Sequence, residues 1–170
     1  MGGCTGALIG GTALGVHELN IFQNPEVNLR AKNYAAADYV IQQATTFVRK
    51  DRDVIRLMPL VNFRDPETPS DVGRLIPEQI GARLIQLGYK VDDRSVASPA
   101  MKMEGVRSAM PASAYVLNGH YVDDRPNLNV SLRLTQEKTG RSVGAFDYMM
   151  PTNRELRTLA KPKPQIFIKP

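Results

Sequence analysis

A chain of 170 residues, 42% hydrophobic and 23% charged, is long enough for one ordinary domain with tails. It contains no run of 18 apolar residues, so it encodes no helix long and apolar enough to cross a bilayer. Most of the formal charge of +5 sits at one end, where Arg154, Arg157, Lys161, Lys163 and Lys169 outweigh Glu155; a nearly neutral body with no basic helix and no aromatic stripe argues against nucleic acid as a partner.

Residues 1–25 are rich in Gly and small side chains ahead of Pro25 and read as a flexible leader; 26–160 read as the folded domain, and 161–170 as a Pro-rich, basic, extended tail. From Asn28, Tyr34, Ala37, Ile41, Ala44 and Val48 recur at helical spacing, with Val40 and Phe47 widening the stripe. This predicts an amphipathic helix that runs to the charged segment KDRD near Lys50. Asp53–Phe63 is a β-rich run bounded by charges and by the turn-forming RDPETPSD, and predicts a mostly buried strand. Ser70 or Asp71 can cap a second helix, whose apolar face is read as Leu75, Ile80, Leu84, Ile85 and Leu87 and whose end is marked by Gly88. Pro77 falls inside that pattern, which predicts a first-turn position or a kink.

The strand YKVDDRSV follows, then a Met-, Ala- and Pro-rich loop over 97–113. Three further strands, AYVLNGHYVD, NLNVSLRLTQ and SVGAFDYMM, close the sheet, the last two joined by EKTGR with Gly140 at positive φ. A short helix, NRELRTLA, precedes the tail. The order αβαβ followed by βββα predicts an α/β fold of the α+β type, a mixed and mainly antiparallel sheet with one layer of helices packed on it.

Reactive groups are sparse. His17 lies in the leader, and His120 lies in a strand with no Cys, His, Asp or Glu at ligand spacing, so it reads as a surface or half-buried sheet residue. No glycine loop stands between a strand and a capped helix to cradle phosphate. The pairs Asp92–Asp93 and Asp123–Asp124 are adjacent in strands, which turns their side chains to opposite faces, and they read as solvated strand ends. Met101, Met103 and Met110 read as cover for the core beneath a loop or as an adaptable surface. No catalytic residue, metal or cofactor is assigned, and the chain is read as a non-enzyme. In the tail, Gln165, Ile166, Phe167 and Ile168 place three large apolar residues on a segment held extended by prolines. They are the candidate partner-binding residues, folding back on their own domain or adding a strand to a neighbour.

The segments NLRAKNYAAADYVIQQ, VIRLMPLVNF, DVGRLIPEQIGARLIQLGYKV, YVLNGHYV and NVSLRLTQEKTGRSVGAF occur in the order of the FlgO family, which the chain resembles over about residues 28 to 160. The LGYKV that follows a helix, the LNGHY strand and the TG between strands are the most telling parts. The same patterns are shared more loosely with the amino-terminal domain of TolB, with CsgG and with the activator LpoB. Pro77, the Met-rich loop and the Pro-rich tail depart from the family pattern. The resemblance implies a TolB-N/CsgG-like fold and a flagellar outer-membrane lipoprotein that acts by protein association in the periplasm.

Beside that resemblance, the opening GGC looks like the end of a lipobox, with Cys4 as the lipidated residue and Thr5 after it in place of a retention-type Asp. Met1 stands where a Leu and an apolar signal would lead, so the signal was either trimmed or lies upstream of this start. The expected location is the periplasmic side of the outer membrane, anchored through acyl chains on Cys4. The expected role is a structural lipoprotein in a ring around an envelope-spanning machine, foremost the flagellar motor. Its expected partners are other envelope or flagellar ring proteins, further copies of itself in that ring, and peptidoglycan. The alternatives are a periplasmic module that activates peptidoglycan synthesis and an accessory subunit of a secretion channel.

Overall fold

The computed structural model describes residues 28–97 and 114–161. Its elements are α1 (Leu29–Gln43), β1 (Val54–Leu57), β2 (Val61–Asn62), α2 (Asp71–Gln86), β3 (Lys90–Asp92), β4 (Tyr115–Asp124), β5 (Asn127–Gln136), β6 (Ser142–Pro151) and α3 (Arg154–Ala160). They form a mixed sheet in the order β3-β1-β4-β5-β6, with β2 beside β4 beyond the end of β1. β1 runs parallel to both β3 and β4, and β4, β5 and β6 are antiparallel neighbours. The helices pack on one face, which is the α+β arrangement expected from the element order.

Alternation sets which face is covered. Along β5, Leu128, Val130, Leu132 and Leu134 are buried, and Asn129, Ser131, Arg133 and Thr135 occupy the other side. The buried set meets Ala36, Ala37, Val40 and Ala44 of the α1 region and Val72, Ile76, Ile80 and Leu84 of α2. Alanines bring α1 close to the sheet, and so does Gly144 of β6, where a Cβ would stand 2.5 Å from Val40 O. Arg83 of α2 holds Asp38 of α1 with two parallel bonds, Nε to Oδ1 at 2.8 Å and Nη2 to Oδ2 at 3.0 Å.

Several expectations change. α1 stops at Gln43 and not near Lys50; the chain turns through Ala44–Phe47, where Thr45 Oγ1 donates to Gln42 O and competes with helical continuation. Tyr34 is half-exposed and Phe47 exposed, while Lys32 and Asn33 are buried. The single strand over 53–63 is two, broken at Met58–Leu60 around Pro59. The buried face of α2 is Val72–Ile76–Ile80–Leu84; Ile85 points to solvent, and Leu75 and Leu87 lie at its margin. Asp92 is buried and held by Arg94, so it is no solvated strand end. Ser70, not Asp71, caps α2: its Oγ accepts from Gly73 N at 3.0 Å and from the hydroxyl of buried Tyr121 at 2.6 Å.

Pro77 occupies neither the first turn nor a helix end. It lies within α2 and on its buried face. A residue there would normally donate its N–H to the carbonyl of Gly73, and proline cannot. Leu60 N takes that acceptor instead, at 2.8 Å. Gly88 and Gly140 take φ of 86° and 68°, as the end of α2 and the β5–β6 turn require.

Candidate functional site

With helices on one side, the opposite face of the sheet is bare among the described residues. Strand register fixes which side chains meet there. His120 of β4 lies opposite Ser131 of β5, and Ser131 opposite Asp147 of β6, with Val61 of β2 completing the row. One row along, Val122, Asn129 and Met149 align. The β2 register continues to Phe63, whose N–H donates to Tyr121 O at 2.9 Å. The β4–β6 part of the face forms a shallow depression of about 330 Å³.

Histidine, serine and aspartate in one row invite comparison with a nucleophilic triad, but the bonds join the wrong partners. A triad needs imidazole to take the serine proton and a carboxylate to orient the imidazole. Here Ser131 Oγ donates directly to Asp147 Oδ1, and Arg133 Nη1 donates to the same oxygen at 2.8 Å. Arg133 first, then Ser131, hold the Asp147 carboxyl below the usual carboxylate range. Among the described residues His120 has no hydrogen bond to either; its ring lies against Phe63, with centroids 5.3 Å apart. Asp147 is therefore occupied as an acceptor, and among the described residues no imidazole reaches Ser131 Oγ.

Around this polar patch the large apolar groups stay in water. Phe63 is 67% exposed and Met149 56%, both on the open face. At the β1–β3 end Arg56 pairs with Glu137, and Arg94 pairs with Asp92 through two bonds of 2.7 Å. Those bonds from Arg94 keep the Asp92 carboxyl low, against the opposing effect of burial. No group of three His, Cys, Asp or Glu able to hold a metal occurs among the described residues, and no helix there is long and apolar enough to cross a membrane.

The edges of the sheet differ from its face. On β6, Gln43 bonds both backbone groups of Ala145, and Lys32 Nζ donates to Met149 O at 3.4 Å. The other edge consists of β3, three residues long, and β2, two residues long, after which Asp65 N turns back to Asn62 O at 3.1 Å. Short strands and occupied backbone groups leave a neighbouring strand little to pair with.

Of the residues singled out from sequence, His120 is on the open face and half-buried. Cys4, Gln165, Ile166, Phe167 and Ile168, with Met101, Met103 and Met110, lie outside the described residues. Ser131, Arg133, Asp147, Phe63 and Met149 were not singled out. The period-two alternation of β5 and β6 marks their face, but only the register brings them together.

No family model matches the chain, and no curated protein does. Among solved structures it is similar to the LpoB C-terminal domain from Salmonella enterica, with 11% identity and a TM-score of 0.45, covering 69% of this chain and 96% of that one. The LpoB C-terminal domain from Escherichia coli gives 12% identity and a TM-score of 0.40, covering 69% and 98%. The lipoprotein GNA1162 from Neisseria meningitidis gives 16% and 0.41, covering 61% and 84%. LpoB is among the relatives named from the sequence, and none of these three is described as a FlgO protein. At these scores no residue role is carried across.

Proposed function

We propose that this chain is a non-enzymatic lipoprotein of the periplasmic face of the outer membrane, acylated on Cys4, that works by protein association. The observation that carries the association is the bare sheet face. Ser131, Arg133 and Asp147 satisfy one another there, while Phe63 and Met149 are exposed among the described residues, which suits contact and not turnover. The Gly-rich leader behind Cys4 supports the anchor, since several acyl chains hold a protein at a membrane far better than a small-residue segment can.

Between the finer roles, activation of peptidoglycan synthesis is favoured over a flagellar ring. A ring needs two different complementary patches on every subunit. The sheet edges, the natural candidates for such patches, are occupied at β6 and short at β2 and β3. One open sheet face among the described residues suits a module that docks on one partner, as the sequence resemblance to LpoB implies; the flagellar assignment rests on the resemblance to FlgO alone.

The purified chain added to its host's peptidoglycan synthases is expected to raise the rate of glycan polymerisation. No change in that rate, together with recovery of the chain in isolated flagellar basal bodies, would overturn activation in favour of the ring. In cells, Cys4→Ser is expected to move the protein from the membrane to the soluble periplasmic fraction. Retention at the membrane would remove the anchor from the proposal.

A further inference from the structure

The open face has a symmetry of its own. Its four strand positions, β2, β4, β5 and β6, are centred on the line between β4 and β5. Phe63, the residue just after β2, and Met149 on β6 lie on opposite sides of that line and in the same row, because the Phe63 N–H donates to Tyr121 O, which sets it beside Val122, and Val122, Asn129 and Met149 align. A two-fold axis parallel to the strands and above that line therefore carries Phe63 onto the position of Met149. We propose that two copies of this chain pair through this face, each placing Phe63 against Met149 of the other. This names a partner for the open face and rests on reading that face as a contact surface.

The pairing meets what two packed sheets require. Sheets stack face to face about 10 Å apart with their strands within about 30° of alignment, and rotation about an axis along the strands keeps them so. β4, β5 and β6, spaced about 4.8 Å apart and about 33 Å long, with the two-residue β2 beside them, give a footprint of about 500 Å², so a pair buries about 1,000 Å², the least that a specific interface needs. Aromatic and thioether side chains attract, and both are largely exposed in the single chain, so their burial is the driving term. Arg133 and Asp147 compensate each other's charge, so they bring no net charge to repel the second copy. The same axis sets His120 of one copy against Ser131 of the other, a donor facing an acceptor. Each contact occurs twice, and the assembly closes at two.

Sedimentation of the full 170-residue chain across micromolar to millimolar concentration tests this. A monomer–dimer equilibrium is expected, weakened at least tenfold by Phe63→Asp and by Met149→Lys, neither of which touches the core. Because the two positions face each other, the double variant F63D/M149K is expected to recover association through two Asp–Lys pairs, and to lose it again at high salt. A chain that stays monomeric, a dimer indifferent to both single changes, or a double variant no better than the singles would each overturn the pairing. If the chain stays monomeric while Phe63→Asp abolishes stimulation of polymerisation, the face belongs to another protein: the pairing fails and the association reading stands.

Discussion

The side-chain amide of Gln43 meets the backbone of Ala145 as a neighbouring strand would, donating from Nε2 to Ala145 O at 2.8 Å and accepting at Oε1 from Ala145 N at 3.2 Å. These bonds show which β6 residues face outward: Ala145, Asp147 and Met149, with Pro151 ending the series and bringing no N–H. Gln43→Ala should cost about 1 kcal/mol, the net worth of a pair of solvent-accessible bonds. Gln43→Glu can still accept from Ala145 N but cannot donate, and should fall between. Urea denaturation midpoints in the order Gln, Glu, Ala would bear this out, and three equal midpoints would reject it.

Tyr148 donates its hydroxyl to Asn33 Oδ1 beneath α1, and Asn33 Nδ2 donates to Gln79 Oε1 of α2 at 2.8 Å. Burial pushes the Tyr148 hydroxyl strongly up, which favours its protonated, donating form. Tyr148→Phe keeps the ring that stacks near Phe146 but leaves a carbonyl without this donor in the interior. The expected loss is about 2 kcal/mol, more than a surface hydroxyl would cost. Thermal unfolding with calorimetric enthalpy measures it, and a change under half of that would mean that water or another group replaces the hydroxyl.

Acid should act through Asp92. Its folded carboxyl lies below its unfolded value because Arg94 holds it, so between the two values the unfolded chain binds more protons. The pair therefore contributes fully above the ordinary carboxylate range, near pH 4, and its contribution fades as pH falls through the lower folded value. Asp92→Asn should lower stability at pH 7 and flatten this part of the acid slope. Denaturation curves at steps between pH 2 and 7 give the comparison; parallel profiles for the two proteins would contradict it.

Gly73 tests the junction of α2 with the strand break. Alanine in a helix usually gains about 1 kcal/mol over glycine. Here a Cβ would stand 2.3 Å from Leu60 O and 3.0 Å from Ser70 Oγ, so backbone must move. Gly73→Ala should destabilise by about 2 kcal/mol, reversing the usual sign. A stabilised variant would show that the Met58–Leu60 segment yields freely.

Much of the fold was legible because its signals are local. The alternation of Leu128 to Leu134 declared one buried and one open face, and Ser70, Gly88 and Gly140 marked a cap, an end and a turn. The inward face of α2 was not legible. Leu75 and Ile76, like Leu84 and Ile85, put apolar residues side by side, and the choice between them depends on Gly81, where a Cβ would lie 2.4 Å from Leu57 Cδ1. That contact is with a strand distant in sequence, and so are the contacts that assemble His120, Ser131 and Asp147. Asp92 was misjudged for a related reason: its burial follows from β1 and β3 pairing in parallel, which no short stretch encodes.

The bond from Leu60 N to Gly73 O also separates two motions that backbone exchange can time. Leu60 lies between two strands that pair with β4, yet its amide is shielded by a helical carbonyl. Its deuterium uptake should follow the opening of α2 and not that of the sheet, while Met58 and Phe63, which donate to Leu117 O and Tyr121 O, should keep the slower clock of β4. A residue within a run of strand thus becomes a reporter for the helix, because a proline in that helix left one oxygen to be claimed.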